Sequence, residues 1–355
     1  MIVILSTCLV VFMVSLILSG VFNKSMYEKF VVVFSFFIIF LLYLLKNNEI
    51  LPDLGAYFSL FKDSQLVSFD EIDKLQKFRW FYKFEFFWCL FTKILSSITP
   101  KKEIIVIVSA VMVLIGYLAF IKKFSKMITF SIMLFLVMFF YNSCFVLRQN
   151  IAVAICLFSV SFIIKRKMYF FLMLVFFAGL FHNSALFFIL LYWLYPLKIT
   201  KKYLLLFFSV SVALSFISYT LITYLSWFSS YSVYVDKISH GSWYDAANET
   251  PLFISIAILV FALYHVNLNK LDGIDLFCLH ALLFVCALNL CRLGMPGVVG
   301  RMTLYFSAPL CVFIPNLCKN IENKYQKFGY CCLFFSFYSL MCFRSLNYGF
   351  EINLF

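Results

Sequence analysis

The stretch Asn142-Ser-Cys-Phe-Val-Leu-Arg-Gln-Asn-Ile-Ala-Val-Ala-Ile155 continues without a charge to Ile164, stops at Lys165-Arg-Lys167, and resumes as an apolar run from Met168 into Leu180-Phe-His-Asn-Ser-Ala-Leu186. Two apolar runs joined by a basic turn read as a pair of antiparallel membrane helices, because basic residues concentrate on the cytoplasmic side of short loops. Arg148, Gln149 and His182 interrupt the runs. A charged group at membrane depth costs a few kcal/mol or more, so each such residue is a functional candidate.

Composition extends this reading to the whole chain. Of 355 residues, 64% are hydrophobic and 13% are charged, against about 25% charged in an average soluble domain. Mean hydropathy is +0.99. The apolar runs are continuous and lack period-two alternation, which favours helices over a β-barrel. The expected fold is all-α: a polytopic helical membrane protein with about 11–13 spans and a single membrane domain over 1–355. Apolar runs mark spans near 1–19, 29–45, 103–121, 128–147, 148–164, 168–182, 184–197, 203–225, 251–268, 274–291, 302–316 and 328–343. Met1 to Ser19 lacks a basic leader and a small-residue cleavage site, so it reads as a retained span.

The net charge of +13 sits mainly at the ends of apolar runs. Topology and anionic headgroups account for it without nucleic acid. The basic clusters at Lys122–Lys126, Lys165–Lys167, Lys198–Lys202 and Lys319–Lys327 follow alternate runs. Placing them in the cytoplasm leaves two longer external segments, approximately 46–102 and 226–250. The second contains Tyr231, Tyr234, Asp236, His240, Trp243, Tyr244, Asp245 and Glu249, a mixture that suits either sugar rings or an interfacial aromatic belt. Whether 84–98, which carries Glu85 and Lys93, crosses the membrane is open. The 12 cysteines fall mainly inside apolar runs and form no Cys-x-x-Cys pair. Buried small hydrophobes fit that pattern better than a disulfide framework or zinc site.

This topology puts Arg148 and His182 at the same, outer, side of adjacent helices. Arg292 and Arg301 flank a glycine-rich loop on that side too. Arginines there suit an anion, since the guanidinium fork matches phosphate oxygens. Helix-end arginines reaching to headgroups are the plainer alternative. His182 is a candidate base, as are the carboxylates Asp53 and Glu85. There is no phosphate-binding loop, no zinc-protease motif, no nucleophile elbow and no Asp-x-Asp pair. No cofactor or metal is expected.

Val146-Leu-Arg-Gln-Asn-Ile-Ala-Val-Ala-Ile155, then Lys165-Arg-Lys167, then Phe177-Ala-Gly-Leu-Phe-His-Asn-Ser-Ala-Leu186 resembles the EpsG-type, Wzy-like family of bacterial exopolysaccharide and O-antigen polymerases. Arg301-Met-Thr-Leu-Tyr-Phe306 is similar to that family's later Arg-x-x-x-Tyr-Phe element. Asp53-Leu-Gly-Ala-Tyr57 and Phe84-Glu85 are loosely similar to its early Asp–Tyr and Glu segments. The resemblance implies a membrane glycosyltransferase that joins polyprenyl-diphosphate-linked repeat units into O-antigen, capsule or exopolysaccharide. It would act at the outer face of the bacterial cytoplasmic (inner) membrane. Arg148, Gln149, His182 and Arg301 occupy the family's motif positions; diphosphate binding is expected of Arg148, Gln149 and Arg301 and, from the topology alone, of Arg292, and substrate contacts of Tyr57 and Tyr305. Implied partners are the polyprenyl-diphosphate-linked glycan, membrane lipids and a chain-length regulator. A lipid-linked oligosaccharide flippase and an O-antigen ligase are the competing readings.

Overall fold

The computed structural model describes residues 1–46, 53–76, 84–226, 249–292 and 296–346; within these, the side chains of 218–226, 269, 292 and 296–298 are not described. Residues 227–248 of the second external segment, with Tyr231, Tyr234, Asp236, His240, Trp243, Tyr244 and Asp245, lie outside the described residues. The architecture is helical. In chain order the helices are α1 (Ile2–Val21), α2 (Lys24–Leu45), α3 (Leu54–Leu66), α4 (Ile72–Gln76), α5 (Phe86–Ile98), α6 (Ile104–Phe124), α7 (Ile128–Phe135), α8 (Tyr141–Ser143), α9 (Leu147–Ile164), α10 (Met168–Phe181), α11 (Leu190–Leu194) and α12 (Lys201–Ser226). They continue as α13 (Thr250–His265), α14 (Gly273–Arg292), α15 (Pro296–Ser307), α16 (Leu310–Lys319) and α17 (Lys324–Leu346).

Six helices among the described residues are long and apolar enough to cross a membrane: α1, α2, α6, α9, α14 through Cys291, and α17. Each provides 18 or more residues, near the roughly 20 needed to cross hydrocarbon. Six shorter apolar helical stretches of 10–17 residues accompany them. The protein is therefore a polytopic helical membrane protein.

Several runs expected as single spans are broken. The run 128–147 is α7, a π-helical segment at Leu136–Phe140, and α8. The run 184–197 is a 3-10 segment, Asn183–Ile189, followed by the five-residue α11. The run 302–316 divides between α15 and α16 at Pro309, whose ring removes a backbone donor. The π segment changes the helical hydrogen-bond pattern within wholly apolar residues, Leu136–Phe140, so hydropathy does not register it.

The chain forms two compact units. One comprises Met1–Val160, Met173–Asn183 and Cys311–Phe355; the other comprises Ser161–Leu172 and Ser184–Leu310. In the first unit, α2 packs on α1 and α6, and α17 packs on the π segment and α7. Asn23 caps α2 by accepting from the Met26 amide at 3.0 Å. Asn316 on α16 clamps the α6–α7 turn, accepting from the Lys126 amide at 2.8 Å and donating to the Phe124 carbonyl at 3.1 Å. Helices α6 and α9 meet at Gly116, where an added Cβ would lie 2.5 Å from the Cβ of Ala154. Small residues at such a crossing let two backbones approach closely.

Much of the expected external segment 46–102 is a helical cluster in this unit. Helix α5 packs on α3 and α4; Leu60, Phe61 and Trp88 are fully buried. The ammonium of buried Lys93 donates to the Ser64 carbonyl at 3.0 Å, which closes α5 onto α3. Gln65 donates to the Pro100 carbonyl at 3.1 Å, tying α3 to the entry of α6. This cluster carries Tyr57 and Glu85 into the site.

In the second unit, Phe188 packs against Phe277 of α14 and Phe306 of α15. The basic turn after α9 ends with Arg166 in the left-handed region, φ +54°. The Lys167 amide returns to the Phe162 carbonyl at 2.8 Å, the six-to-one bond of a Schellman cap. The Arg166 guanidinium lies 3.9 Å from the centroid of the Tyr192 ring, and the Tyr192 hydroxyl donates to the Arg166 carbonyl at 3.1 Å. A cation–π contact and a hydrogen bond thus hold an arginine where glycine is the usual choice.

Candidate active site

Arg148 stands in the first turn of α9. A cation is disfavoured there by the positive end of the helix dipole, so its position calls for a nearby anion. That anion is Glu85, whose carboxylate forms a salt bridge through Oε2 with Nη1 of Arg148. The other carboxylate oxygen faces Nδ1 of His182 at 3.0 Å. Side-chain exposures are 12% for Arg148, 14% for Glu85 and 11% for His182. Three residues separated by up to 97 positions thus form one buried cluster within the first unit.

Local structure explains the convergence. Glu85 occupies the N-cap position of α5, but its side chain makes no capping bond; its oxygens turn to Arg148 and His182 instead. The flanking Phe84 is buried, with its ring 4.8 Å below the Arg148 guanidinium, and Tyr57 lies 5.9 Å from the same group. Trp88, one turn into α5, meets Tyr57 edge-on at 5.3 Å. Arg148 therefore sits on an aromatic floor made by α3 and the start of α5. His182 closes α10, its amide bonded to the Ala178 carbonyl at 3.1 Å. Phe181 beside it wedges against Phe87 and Phe91 of α5, at 4.9 and 5.7 Å. Those contacts hold the end of α10 against the Glu85 segment.

The approach to Arg148 is fixed by Asn150, which is fully buried. Its amide donates to Asn142 Oδ1 and to the Val146 carbonyl, both at 2.9 Å. The turn between α8 and α9 is thereby tied back to α9. On the other side of this turn, the hydroxyls of Tyr43 and Ser143 share a hydrogen bond. Lys46, just past α2, is only 3% exposed, and burial pushes its ammonium pKa down, partly countered by Cys144. Asn150 and Lys46 carried no role in the sequence reading. Asn150 was visible as a third polar residue beside Arg148 and Gln149; Lys46 has the look of an ordinary interface lysine.

Burial by itself would raise the Glu85 carboxyl pKa. The Arg148 guanidinium and the hydrogen bond and charge of His182 outweigh it and hold the group at about 2. Glu85 is thus a carboxylate at neutral pH and acts only as an acceptor. The proton of the His182–Glu85 bond accordingly belongs to Nδ1, and in neutral imidazole the lone pair then sits on Nε2. The cluster has the parts of an oriented base: a histidine, a carboxylate that fixes its tautomer, and an arginine that keeps that carboxylate ionised.

Of the residues singled out by sequence, Tyr57, Glu85, Arg148 and His182 are together. Gln149 is their buried neighbour on α9, 3% exposed. Asp53 precedes α3 with φ +61° and does not cap it through its side chain. Arg301 and Tyr305 stand on α15 in the second unit; Tyr305 is fully buried and receives a hydrogen bond from Ser184 at 3.3 Å. The side chain of Arg292 lies outside the described residues. Among the described residues, no three His, Cys, Asp or Glu side chains gather so as to hold a metal ion.

A polytopic helical membrane protein with a buried Arg–Glu–His cluster at a helix entry is the class that fold and site define. The chain belongs to the EpsG family, whose profile matches residues 29–354. This is a Wzy-like polysaccharide polymerase family, and it gives the chain a polysaccharide-polymerase role in the membrane. Comparison with curated proteins and with solved structures yields no match.

Proposed function

We propose that the protein joins oligosaccharide repeat units carried on polyprenyl diphosphate, at the outer face of the cytoplasmic membrane. The observation that carries this reading is the pairing of Glu85 with both Arg148 and His182 in a chain of the EpsG family. A glycan on a lipid diphosphate is already activated, so polymerisation needs an acceptor base and cationic help for the leaving group.

In the proposed step, Nε2 of His182 takes the proton from a sugar hydroxyl of the acceptor. The oxygen forms its bond to the anomeric carbon of the donor as the carbon–oxygen bond to the diphosphate breaks. The electron pair leaves with the diphosphate, and direct displacement inverts the anomeric centre. Glu85 positions His182 and stabilises the imidazolium that forms, the role a carboxylate plays behind a histidine base. Arg148 supplies positive charge where the diphosphate develops its own, and its planar fork suits phosphate oxygens. Arg301, at the position similar to the family's arginine element, is proposed on sequence grounds alone as a residue that contacts anionic substrate.

Deleting the gene and resolving the surface glycan on a gel tests the reading. Glycan with a single repeat unit, and a ladder restored by wild type but not by Arg148→Ala or His182→Ala, is the expected result. Complete loss of surface glycan would instead favour a flippase, and an unchanged ladder would contradict the assignment.

A further inference from the structure

The first unit contains a second feature, at the far end of α2 from the Tyr43–Ser143 bond. Helix α2 has 22 residues and so rises about 33 Å. At its Lys24 end is a cavity of about 640 Å³ bordered by α1, α2, α7 and α17. Phe12, Leu16, Phe130, Met133 and Phe335 are among its walls, and Lys24, Lys126, Lys324 and Lys327 stand among its lining against the single carboxylate of Glu28.

We propose that this cavity binds an anionic phospholipid of the inner leaflet, with the phosphate among the four lysines and acyl chain against the apolar walls. The volume falls within the range of about 300–1,000 Å³ typical of ligand sites. Apolar walls with a cationic rim match an amphipath with a negative head; a soluble sugar or nucleotide would leave the walls uncovered. Lysine binds phosphate as a point charge. Phe12, Leu16 and Phe328, all in the lining, are 43%, 52% and 72% exposed, so the cavity opens sideways where lipid would enter.

Deeper in the lining, the hydroxyls of Ser15, Tyr27 and Thr129 bond one another at 2.7, 2.6 and 2.9 Å. Such a ring uses its protons internally and offers lone pairs outward, which suits a headgroup bearing hydroxyls of its own. Phosphatidylglycerol has both the charge and the hydroxyls. The basic clusters at Lys122–Lys126 and Lys319–Lys327 place the rim on the cytoplasmic side, where the anionic leaflet attracts basic segments. The site is separate from the proposed reaction centre and does not depend on it.

The test titrates full-length protein in neutral detergent with phosphatidylglycerol, phosphatidylcholine and undecaprenyl phosphate, counting bound lipid by native mass spectrometry. Wild type is expected to retain phosphatidylglycerol in preference to both others. Lys324→Gln with Lys327→Gln is expected to weaken it about 25-fold, at about fivefold per lysine. Ser19→Trp, which fills the cavity from an exposed lining position, is expected to abolish retention with the unfolding temperature unchanged. Equal retention of phosphatidylcholine, or unaltered binding by both variants, would overturn the proposal. Preference for undecaprenyl phosphate would overturn the choice of phospholipid.

Discussion

Replacing Glu85 by Gln removes one negative charge from a cluster whose side chains are 12%, 14% and 11% exposed. Arg148 would then be left buried beside an amide. Removing one partner of a buried ion pair costs about 3–5 kcal/mol, and the residual exposure here places the expected loss near the lower figure, about 3 kcal/mol. The reaction would suffer separately. A Gln amide that donates to Nδ1 forces the proton onto Nε2, and loss of a positioned base costs about 10²–10⁴-fold in rate. Fluorescence-monitored unfolding in detergent reads the first effect, helped by buried Trp88 three residues away. Polymerisation in isolated membranes reads the second. Adding Arg148→Met to Glu85→Gln removes the stranded cation and should recover most of the stability while leaving activity lost. A single variant as stable and as active as wild type would refute the reasoning. So would a double variant no more stable than the single one.

Acid should act through the same carboxylate. Glu85 is held at about 2 in the folded protein against an ordinary 4.5. Because the folded pKa is depressed, its stabilisation is fully present above about pH 4.5 and is lost as pH falls toward 2; unfolding temperatures measured across that window should fall in wild type and lose this component in Glu85→Gln. Arg148→Lys keeps the charge but not the planar fork or the stacking on Phe84 and Tyr57, so it should recover part of the stability lost in Arg148→Ala while leaving the ladder impaired. Gly116→Ala places a methyl 2.5 Å from the Ala154 Cβ and should destabilise the protein by about 1–3 kcal/mol, visible as a lower unfolding temperature. Asn150→Leu releases the bonds to Asn142 and Val146 and should cost about 1–3 kcal/mol, with activity falling further than stability because Arg148 loses its fixed approach.

The helices were legible where the chain runs without a charge into or out of a basic turn, as from Ile151 to Ile164 in α9 and Met168 to Phe181 in α10. Hydrophobicity there both selects the membrane and obliges the backbone to satisfy itself as helix. The π segment at Leu136–Phe140 was not legible, because it changes hydrogen-bond partners without changing polarity; the 3-10 segment at Asn183–Ile189 opens on the polar pair Asn183-Ser184, but polarity does not specify its hydrogen-bond pattern. Arg148, Glu85 and His182 each stood out as polar groups in apolar or amphipathic surroundings. Their union did not, since it depends on α5 folding back onto α3 through the Lys93–Ser64 bond and on Phe181 seating against Phe87 and Phe91. Lys93 itself left open whether α5 crosses the membrane; the structure uses it to close a helix pair.

The measurement that bears most directly on the central claim is glycan synthesis by the purified protein in lipid nanodiscs supplied with repeat units on polyprenyl diphosphate. Wild type should lengthen the lipid-linked glycan and release polyprenyl diphosphate in step with each bond formed. His182→Ala should bind the donor but form no bond. Lengthening by His182→Ala at the wild-type rate, or no lengthening by a folded wild type that binds both substrates, would contradict the account.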